Sequence, residues 1–258
     1  MENLKTAIIQ ADLFWENAEE NRSLFSEKIE ALRDQVDLIV LPEMFSTGFS
    51  MNAEQLAEAP DGPTFTWMKN MAISKRSAIT GSVIIAEKGH FYNRLFFVFP
   101  DGSFKKYDKR HTFTLAKENE TYSAGKERLI VEYKGWKICP LICYDLRFPV
   151  WARNTEDYDL LLYVANWPET RIHAWDILLQ ARAIENMCYC AGVNRTGPDG
   201  NNYDYNGHSN VYDCLGKALG TVNDPNSFTK IFELDKAAML KTREKLKFLQ
   251  DRDTFTLK

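Results

Sequence analysis

Three short stretches of the chain each carry a side chain able to act on a carbonyl group. They are the acid of Leu41-Pro42-Glu43-Met44-Phe45, the ammonium of Tyr107-Asp108-Lys109-Arg110-His111 and the thiol of Leu141-Ile142-Cys143-Tyr144-Asp145. A thiol is a weak nucleophile near neutral pH until a base takes its proton or a positive charge stabilises the thiolate. Glu43 is the candidate base, because a carboxylate held in a water-poor pocket moves toward the range in which a general base operates. Attack on a carbonyl puts negative charge on oxygen, and Lys109 with the backbone N–H of Tyr144 are the candidate donors to meet it. The same acid can return the proton to departing ammonia and then activate the water that cleaves the thioester. The chemistry implied is amide cleavage through an acyl-enzyme.

Taken singly, none of the three is informative. A lone cysteine is most often an inert core residue. Lys109 sits in the run Lys105-Lys106-Tyr107-Asp108-Lys109-Arg110, which alone reads as a solvated basic loop, and Glu43 alone reads as a cap or a surface acid. Their weight comes from combination, since each supplies what the others lack.

Other chemistries have no anchor. The sequence holds no Gly-rich phosphate loop and no G-x-S-x-G elbow. His90, His111, His173 and His208 are scattered, and Cys188-Tyr189-Cys190 is too tight for the usual zinc pair, so neither metal nor cofactor is expected. A papain-like site needs a Cys-His pair with the cysteine near the mature N-terminus, which Cys143 does not match. The formal net charge is -4 with no dominant basic block, which argues against nucleic acid. No stretch approaches the roughly 20 apolar residues that span a bilayer, and Met1 to Gln10 lacks a signal-peptide core, so a cytoplasmic protein is expected. The five cysteines, an odd number lying in or beside apolar runs, suit reduced thiols.

The elements that must position the trio alternate between strand and helix. Strands are expected at Leu4 to Gln10, Leu38 to Leu41, Ala78 to Ala86, Phe91 to Phe99, Leu129 to Tyr133, Trp136 to Ile142, Leu160 to Val164, Cys188 to Val193 and Val211 to Tyr212. Pro140 argues for an edge, a bulge or a distortion in its strand. Helices are expected at Asn17 to Arg33, with Phe25, Ile29 and Leu32 on one face, at Thr64 to Lys75, and at Arg171 to Asn186, with Ile172, Trp175, Leu178, Leu179 and Ala183 on one face. Asp108 to Gly125 reads as a long polar loop, and the tail from Lys236 as a polar helix and an exposed extension. With 45% hydrophobic and 26% charged residues and no linker or repeat, the 258 residues suit one layered α/β domain, 1–258. Each reactive residue then stands at or just beyond a strand end, where ligands meet such sheets.

At this point the three stretches, in this order, resemble the nitrilase superfamily of Glu-Lys-Cys amidases from about Lys5 to Lys236. Within it the chain is similar to the ω-amidases, which hydrolyse the terminal amide of α-keto acids such as 2-oxoglutaramate and 2-oxosuccinamate. Carrying that likeness are the stretch from Glu43 to Met51, Lys109-Arg110-His111, the stretch from Cys143 to Pro149, Ala165-Asn166-Trp167-Pro168, and the stretch from Leu179 to Asn186. The resemblance implies Glu43 as general base, Lys109 as electrophilic stabiliser and Cys143 as nucleophile. It also implies a second glutamate that positions the lysine, seven residues before a glycine: Glu118, counted from Gly125, with Glu120 close by. It further implies a four-layer αββα sandwich and a homodimer or higher homo-oligomer formed through helices. Thr112 and Met187 depart from the family pattern, where leucine and glutamine are frequent, and bear on pocket shape.

A keto-dicarboxylate monoamide needs a cation for its carboxylate, and an arginine fork has the right shape. Arg147, four residues after Cys143, is the first candidate, against the alternative that it pairs with Asp145; Phe45, Phe49 and Trp167 are candidate pocket walls. The nearest rivals keep the chemistry and change the substrate: an aliphatic amidase, a carbamoylase, which would release carbon dioxide with ammonia, or a nitrilase. A rival of another class is a catalytically silent binding protein on the same scaffold.

Overall fold

The computed structural model describes residues 3–256; the first two and last two residues of the expected 1–258 domain lie outside the described residues. The chain runs through β1 (Leu4–Gln10), α1 (Ala18–Glu30), β2 (Leu38–Val40), α2 (Ala53–Leu56), α3 (Pro63–Lys75), β3 (Ala78–Glu87), β4 (His90–Val98) and β5 (Phe104–Asp108). It continues with α4 (Glu118–Thr121), β6 (Val131–Tyr133), β7 (Trp136–Ile142), α5 (Pro149–Ala152), β8 (Leu160–Val164), α6 (Ile172–Asn186) and β9 (Tyr189–Val193). Last come β10 (Thr196–Pro198), β11 (Asp204–Asn206), β12 (Asn210–Tyr212), β13 (Phe228–Leu234) and α7 (Lys236–Leu246).

Two sheets face each other, one ordered β13-β1-β2-β3-β4-β5 and the other β12-β9-β8-β7-β6, with β10 and β11 forming a separate hairpin. The period-two alternation of β1 divides its side chains between layers. Leu4 and Ile8 join a core with Ile138, Leu141 and Leu160 of the second sheet, whereas Ala7 and Ile9 pack with Phe25 and Ile29 of α1 and Phe65, Met68 and Ala72 of α3. β2 repeats the division, Leu38 and Val40 inward and Ile39 toward the helices. β8, an unbroken apolar run, is buried on both faces. On its far side, Trp175, Leu179 and Ala183 of α6 complete the core. Gly192 permits that approach, since a Cβ there would lie 2.4 Å from Leu179 Cδ1. The layers are therefore helix, sheet, sheet, helix, the αββα sandwich expected.

Several elements depart from the sequence expectations. β5 was not anticipated, because Lys105 and Lys106 give it the polar look of an edge strand. β13 was not anticipated either, yet it pairs antiparallel with all of β1, from Leu4 opposite Leu234 to Gln10 opposite Phe228. The expected polar loop from Asp108 to Gly125 contains a 3-10 turn at Thr114–Ala116 and α4. The first helix stops at Glu30, short of Leu32. Pro140 is accommodated because β6 pairs with β7 only as far as Ile138, so among the described residues no strand pairs with β7 on that side at the proline. α7 is capped by Asp235, whose side chain accepts from Ala238 N at 2.9 Å, and the extension beyond it is tied down by Arg252 to Asp157 at 2.7 Å.

Candidate active site

Each of the three reactive residues is thrown into the site by a turn at a strand end. After β2 the backbone turns through Met44, φ +40°, and is pinned to β3: Met44 N donates to Ser82 Oγ at 2.8 Å and Phe45 N to Ser82 O at 3.2 Å. Lys109 follows β5 directly, its N–H bonded to Asn93 O at 3.0 Å and its carbonyl accepting from Gly125 N at 2.8 Å. Gly125 must be a glycine for this closure, because a Cβ there would stand 2.0 Å from the Asp108 carbonyl oxygen. Cys143 is the first residue beyond β7 and adopts φ +43°, a left-handed conformation that costs a non-glycine residue about 1–2 kcal/mol.

The buried Asp145 carboxylate holds that turn. It accepts from Ile142 N (3.0 Å), Tyr107 Oη (2.7 Å), His111 N (3.0 Å) and the His111 ring Nδ1 (2.8 Å). The Cys143 turn and the lysine loop are thus fastened to one side chain, and among the described residues Asp145 has no bond to Arg147.

The trio meets. Lys109 Nζ donates to Glu43 Oε1 at 2.8 Å and to both Glu118 oxygens at 3.0 and 2.9 Å, with Glu43 and Glu118 0% and Lys109 1% exposed. Asn93 Nδ2 donates to Glu43 Oε1 at 2.8 Å and to Glu118 Oε1 at 3.3 Å, so a neutral donor bridges the two acids. The other Glu43 oxygen accepts from Asn166 N at 2.8 Å, while Asn166 Nδ2 returns a 2.6 Å bond to the Glu43 carbonyl. Glu118 Oε2 also takes Phe113 N at 2.5 Å. Cys143 Sγ lies 3.7 Å from the Asn166 carbonyl oxygen. Glu120, the neighbouring alternative to Glu118, is exposed.

Electrostatics follow from two acids and one base out of water. Burial works against the Lys109 ammonium, but the Glu118 and Glu43 charges outweigh it and its pKa rises, so it stays charged. Burial, with the adjacent Glu43 charge, raises the Glu118 carboxyl against the pull of Lys109. The Cys143 thiol is pushed well above its ordinary value by burial and by Glu43, with Lys109 opposing. That direction favours the protonated thiol over the thiolate at Cys143. Cys139 is pushed up to about 12, by burial first, with the Arg128 charge opposing.

Cys143 and Lys109 open into a cavity of about 410 Å³, a size suited to a small organic substrate. Of the residues expected there, Phe49, Tyr144, Arg147 and Trp167 line the cavity. Phe45 does not. Its ring is fully buried between Phe25, edge-on at 5.4 Å, and Trp67 at 5.6 Å, because the turn after Glu43 directs it into the helix layer. Residues that sequence reasoning missed include Asn93, Arg171 and the hairpin residues Asp199, Tyr203 and Tyr205. Asn166 stood in a quoted motif but without a role; Asn93, a polar residue inside an apolar strand, was the only signal for its own part. Among the described residues no group of three or more His, Cys, Asp or Glu could hold a metal ion.

Residues 5–244 match the carbon-nitrogen hydrolase family. The chain is 44% identical to the omega-amidase YafV of Yersinia enterocolitica over 257 residues, covering 100% of both chains. It is 33% identical to the 2-oxoglutaramate amidase of Bacillus subtilis (strain 168), over 94% of this chain and 95% of that one. Among solved structures, XC1258 from Xanthomonas campestris, a CN-hydrolase superfamily protein with an arsenic adduct in its active site, superposes with a TM-score of 0.97 at 42% identity over 100% of both chains. Nit3 of Saccharomyces cerevisiae shares the fold, with a TM-score of 0.84 at 23% identity over 95% of this chain and 94% of that one. Fold, pocket and relatives agree: the chain belongs to the carbon-nitrogen hydrolase family.

Proposed function

We infer that this protein is an ω-amidase, hydrolysing the terminal amide of an α-keto acid monoamide such as 2-oxoglutaramate to the dicarboxylate and ammonia. The observation that carries the reading is a nucleophile, a base and a fixed ammonium meeting in a pocket whose wall also holds Arg147 without a carboxylate partner among the described residues. The relatives named above as omega-amidase and 2-oxoglutaramate amidase support the same substrate class.

Cys143 Sγ attacks the amide carbon as its proton passes to Glu43, so charge appears on the substrate oxygen rather than on sulfur. Lys109 Nζ, locked by Glu118, and the Tyr144 N–H, in the first turn of the 3-10 segment Cys143–Arg147, meet that oxygen. Losing one such donor typically costs roughly two to three orders of magnitude in rate. Glu43 gives its proton to the nitrogen, the C–N bond breaks and ammonia leaves. Water then attacks the thioester, its proton going to Glu43; the C–S bond breaks and the thiol is restored. Arg147, its guanidinium 4.9 Å from the Trp167 ring centre, holds the substrate carboxylate.

A panel of 2-oxoglutaramate, pentanamide, an N-carbamoyl amino acid and a simple nitrile tests the substrate. The reading requires kcat/KM to be highest for the keto-amide. Preference for pentanamide makes the protein an aliphatic amidase, carbon dioxide release with ammonia a carbamoylase, and turnover of none a silent binding protein. We also propose a cytoplasmic homodimer. Ile177 and Ile184 expose an apolar stripe on α6, Leu215 adds to the exposed apolar surface, and no described helix is long and apolar enough to cross a membrane. Sedimentation at the mass of one chain would contradict the dimer.

A further inference from the structure

Arg147 is not the only guanidinium on the pocket wall. Arg171 lines the same cavity, at the end of a 3-10 turn, Glu169–Arg171, that follows Trp167-Pro168. Its carbonyl accepts the Trp167 indole N–H at 2.8 Å, which fixes its backbone to the residue on which Arg147 rests. Its guanidinium lies 5.0 Å from the centre of the Phe113 ring, and that ring packs at 4.8 Å against Tyr144, the residue after the nucleophile. Phe113 is held in turn by its N–H bond to Glu118.

Seven other arginines, Arg22, Arg94, Arg128, Arg182, Arg195, Arg243 and Arg252, are each paired with a carboxylate. Neither Arg147 nor Arg171 has an acid partner among the described residues; both rest on aromatic faces. Stacking fixes the plane of a guanidinium while leaving its N–H edge able to form a fork with a carboxylate. The one acid on the same wall, Asp199, is occupied within its own hairpin, accepting from Asn201 N (2.8 Å), Tyr203 N (3.0 Å) and Tyr205 Oη (2.9 Å). Two unneutralised guanidiniums in one cavity are a poor environment for a neutral aliphatic amide and a good one for an anion.

We propose that Arg171 is a specificity-determining residue, forming with Arg147 a two-guanidinium subsite for the carboxylate end of the substrate. This rests on the α-keto acid reading above and deepens it. Because Arg171 is half-buried whereas Arg147 is exposed, Arg171 is less screened by solvent and carries the larger share of discrimination.

Arg171→Gln, Arg171→Lys and Arg147→Gln are compared with the wild type on 2-oxoglutaramate and on pentanamide, which has no carboxylate. Arg171→Gln should raise KM for the keto-amide about tenfold or more, the loss of one charge-assisted pair, with kcat moving far less, while KM for pentanamide shifts by under about threefold. Arg171→Lys should recover part of the loss. An equal loss on both substrates, or an unmoved KM for the keto-amide, overturns the proposal. A second readout needs no turnover: glutarate should slow iodoacetamide labelling of Cys143 in the wild type and fail to do so in Arg171→Gln. If glutarate protects only the wild type while 2-oxoglutaramate is not hydrolysed, the subsite stands and the substrate reading falls. If both proteins are protected alike, the subsite falls whatever is hydrolysed.

Discussion

Asn93 is the residue on which the geometry of the acid pair depends most and which no catalytic motif announces. Its Nδ2 gives a 2.8 Å bond to Glu43 and a longer, 3.3 Å bond to Glu118, and its carbonyl takes the Lys109 N–H. Asn93→Ala leaves the backbone bond and removes the bridge. A hydrogen bond to a buried charged group contributes about 1.5–3 kcal/mol, and the longer bond adds little. Against this, Asn93 Oδ1 is buried without a partner among the described residues, and its removal relieves about 1 kcal/mol. The net cost is about 0.5–2 kcal/mol, a fall in Tm of roughly 1–8 °C for a domain of this size. With Glu43 losing one of the three donors that orient its carboxylate, kcat should fall about 10- to 100-fold, each tenfold being about 1.4 kcal/mol of barrier. Asn93→Asp should be worse on both counts, because it replaces the donor with a third carboxylate beside a single ammonium. Thermal unfolding and ammonia release from 2-oxoglutaramate measure the two effects. The reasoning fails if Asn93→Ala stays within about 1 °C and about twofold of wild type, or if the aspartate variant is the better tolerated.

Two further perturbations test the surroundings. Gly125→Ala drives a methyl group against the Asp108 carbonyl; it should cost about 3 kcal/mol, the upper end for overpacking, and lower kcat by shifting Lys109, and a variant of unchanged Tm would refute the closure argued for that loop. The pH profile follows from the directions of three shifts. Lys109 and Cys143 are both raised, so neither should lose its proton in the ordinary range and kcat/KM should show no alkaline limb below about pH 10. Glu118 is raised, so it takes up a proton as pH falls through a value above the ordinary glutamate range, and kcat/KM should decline there. An alkaline limb centred near pH 8.5 would instead indicate an ordinary thiol.

What the sequence made legible were features that depend on local pattern. β1, β7 and β8 stood out as apolar runs and α6 as an apolar helical face, and the structure has all four. The acid, ammonium and thiol were legible because their residue types are chemically complementary, and the apolar runs before Glu43 and Cys143 could be read as strands. Features created by tertiary contact were not. β5 is disguised by exposed Lys105 and Lys106, and β13 becomes a strand through pairing with the far end of the chain at β1. Lys109, in a run that reads as solvated, is buried because Glu118 and Glu43 offset the cost of removing its charge from water. Phe45 was misjudged because proximity in sequence to Glu43 says nothing about direction; the turn at Met44 sends the ring away from the pocket. Arg171 opens a segment legible as an amphipathic helix, but that pattern marks the buried face and not the residue that reaches the cavity, and the 199–205 hairpin carries no periodic signal of its own.

The central claim is that Cys143 cleaves the terminal amide of an α-keto acid. Ammonia release from 2-oxoglutaramate by the wild type and by Cys143→Ala, both folded by their unfolding curves, tests it most directly. The account predicts steady release by the wild type and none above background by the variant. Equal release by the two proteins would remove Cys143 as nucleophile, and no release by either would remove the substrate.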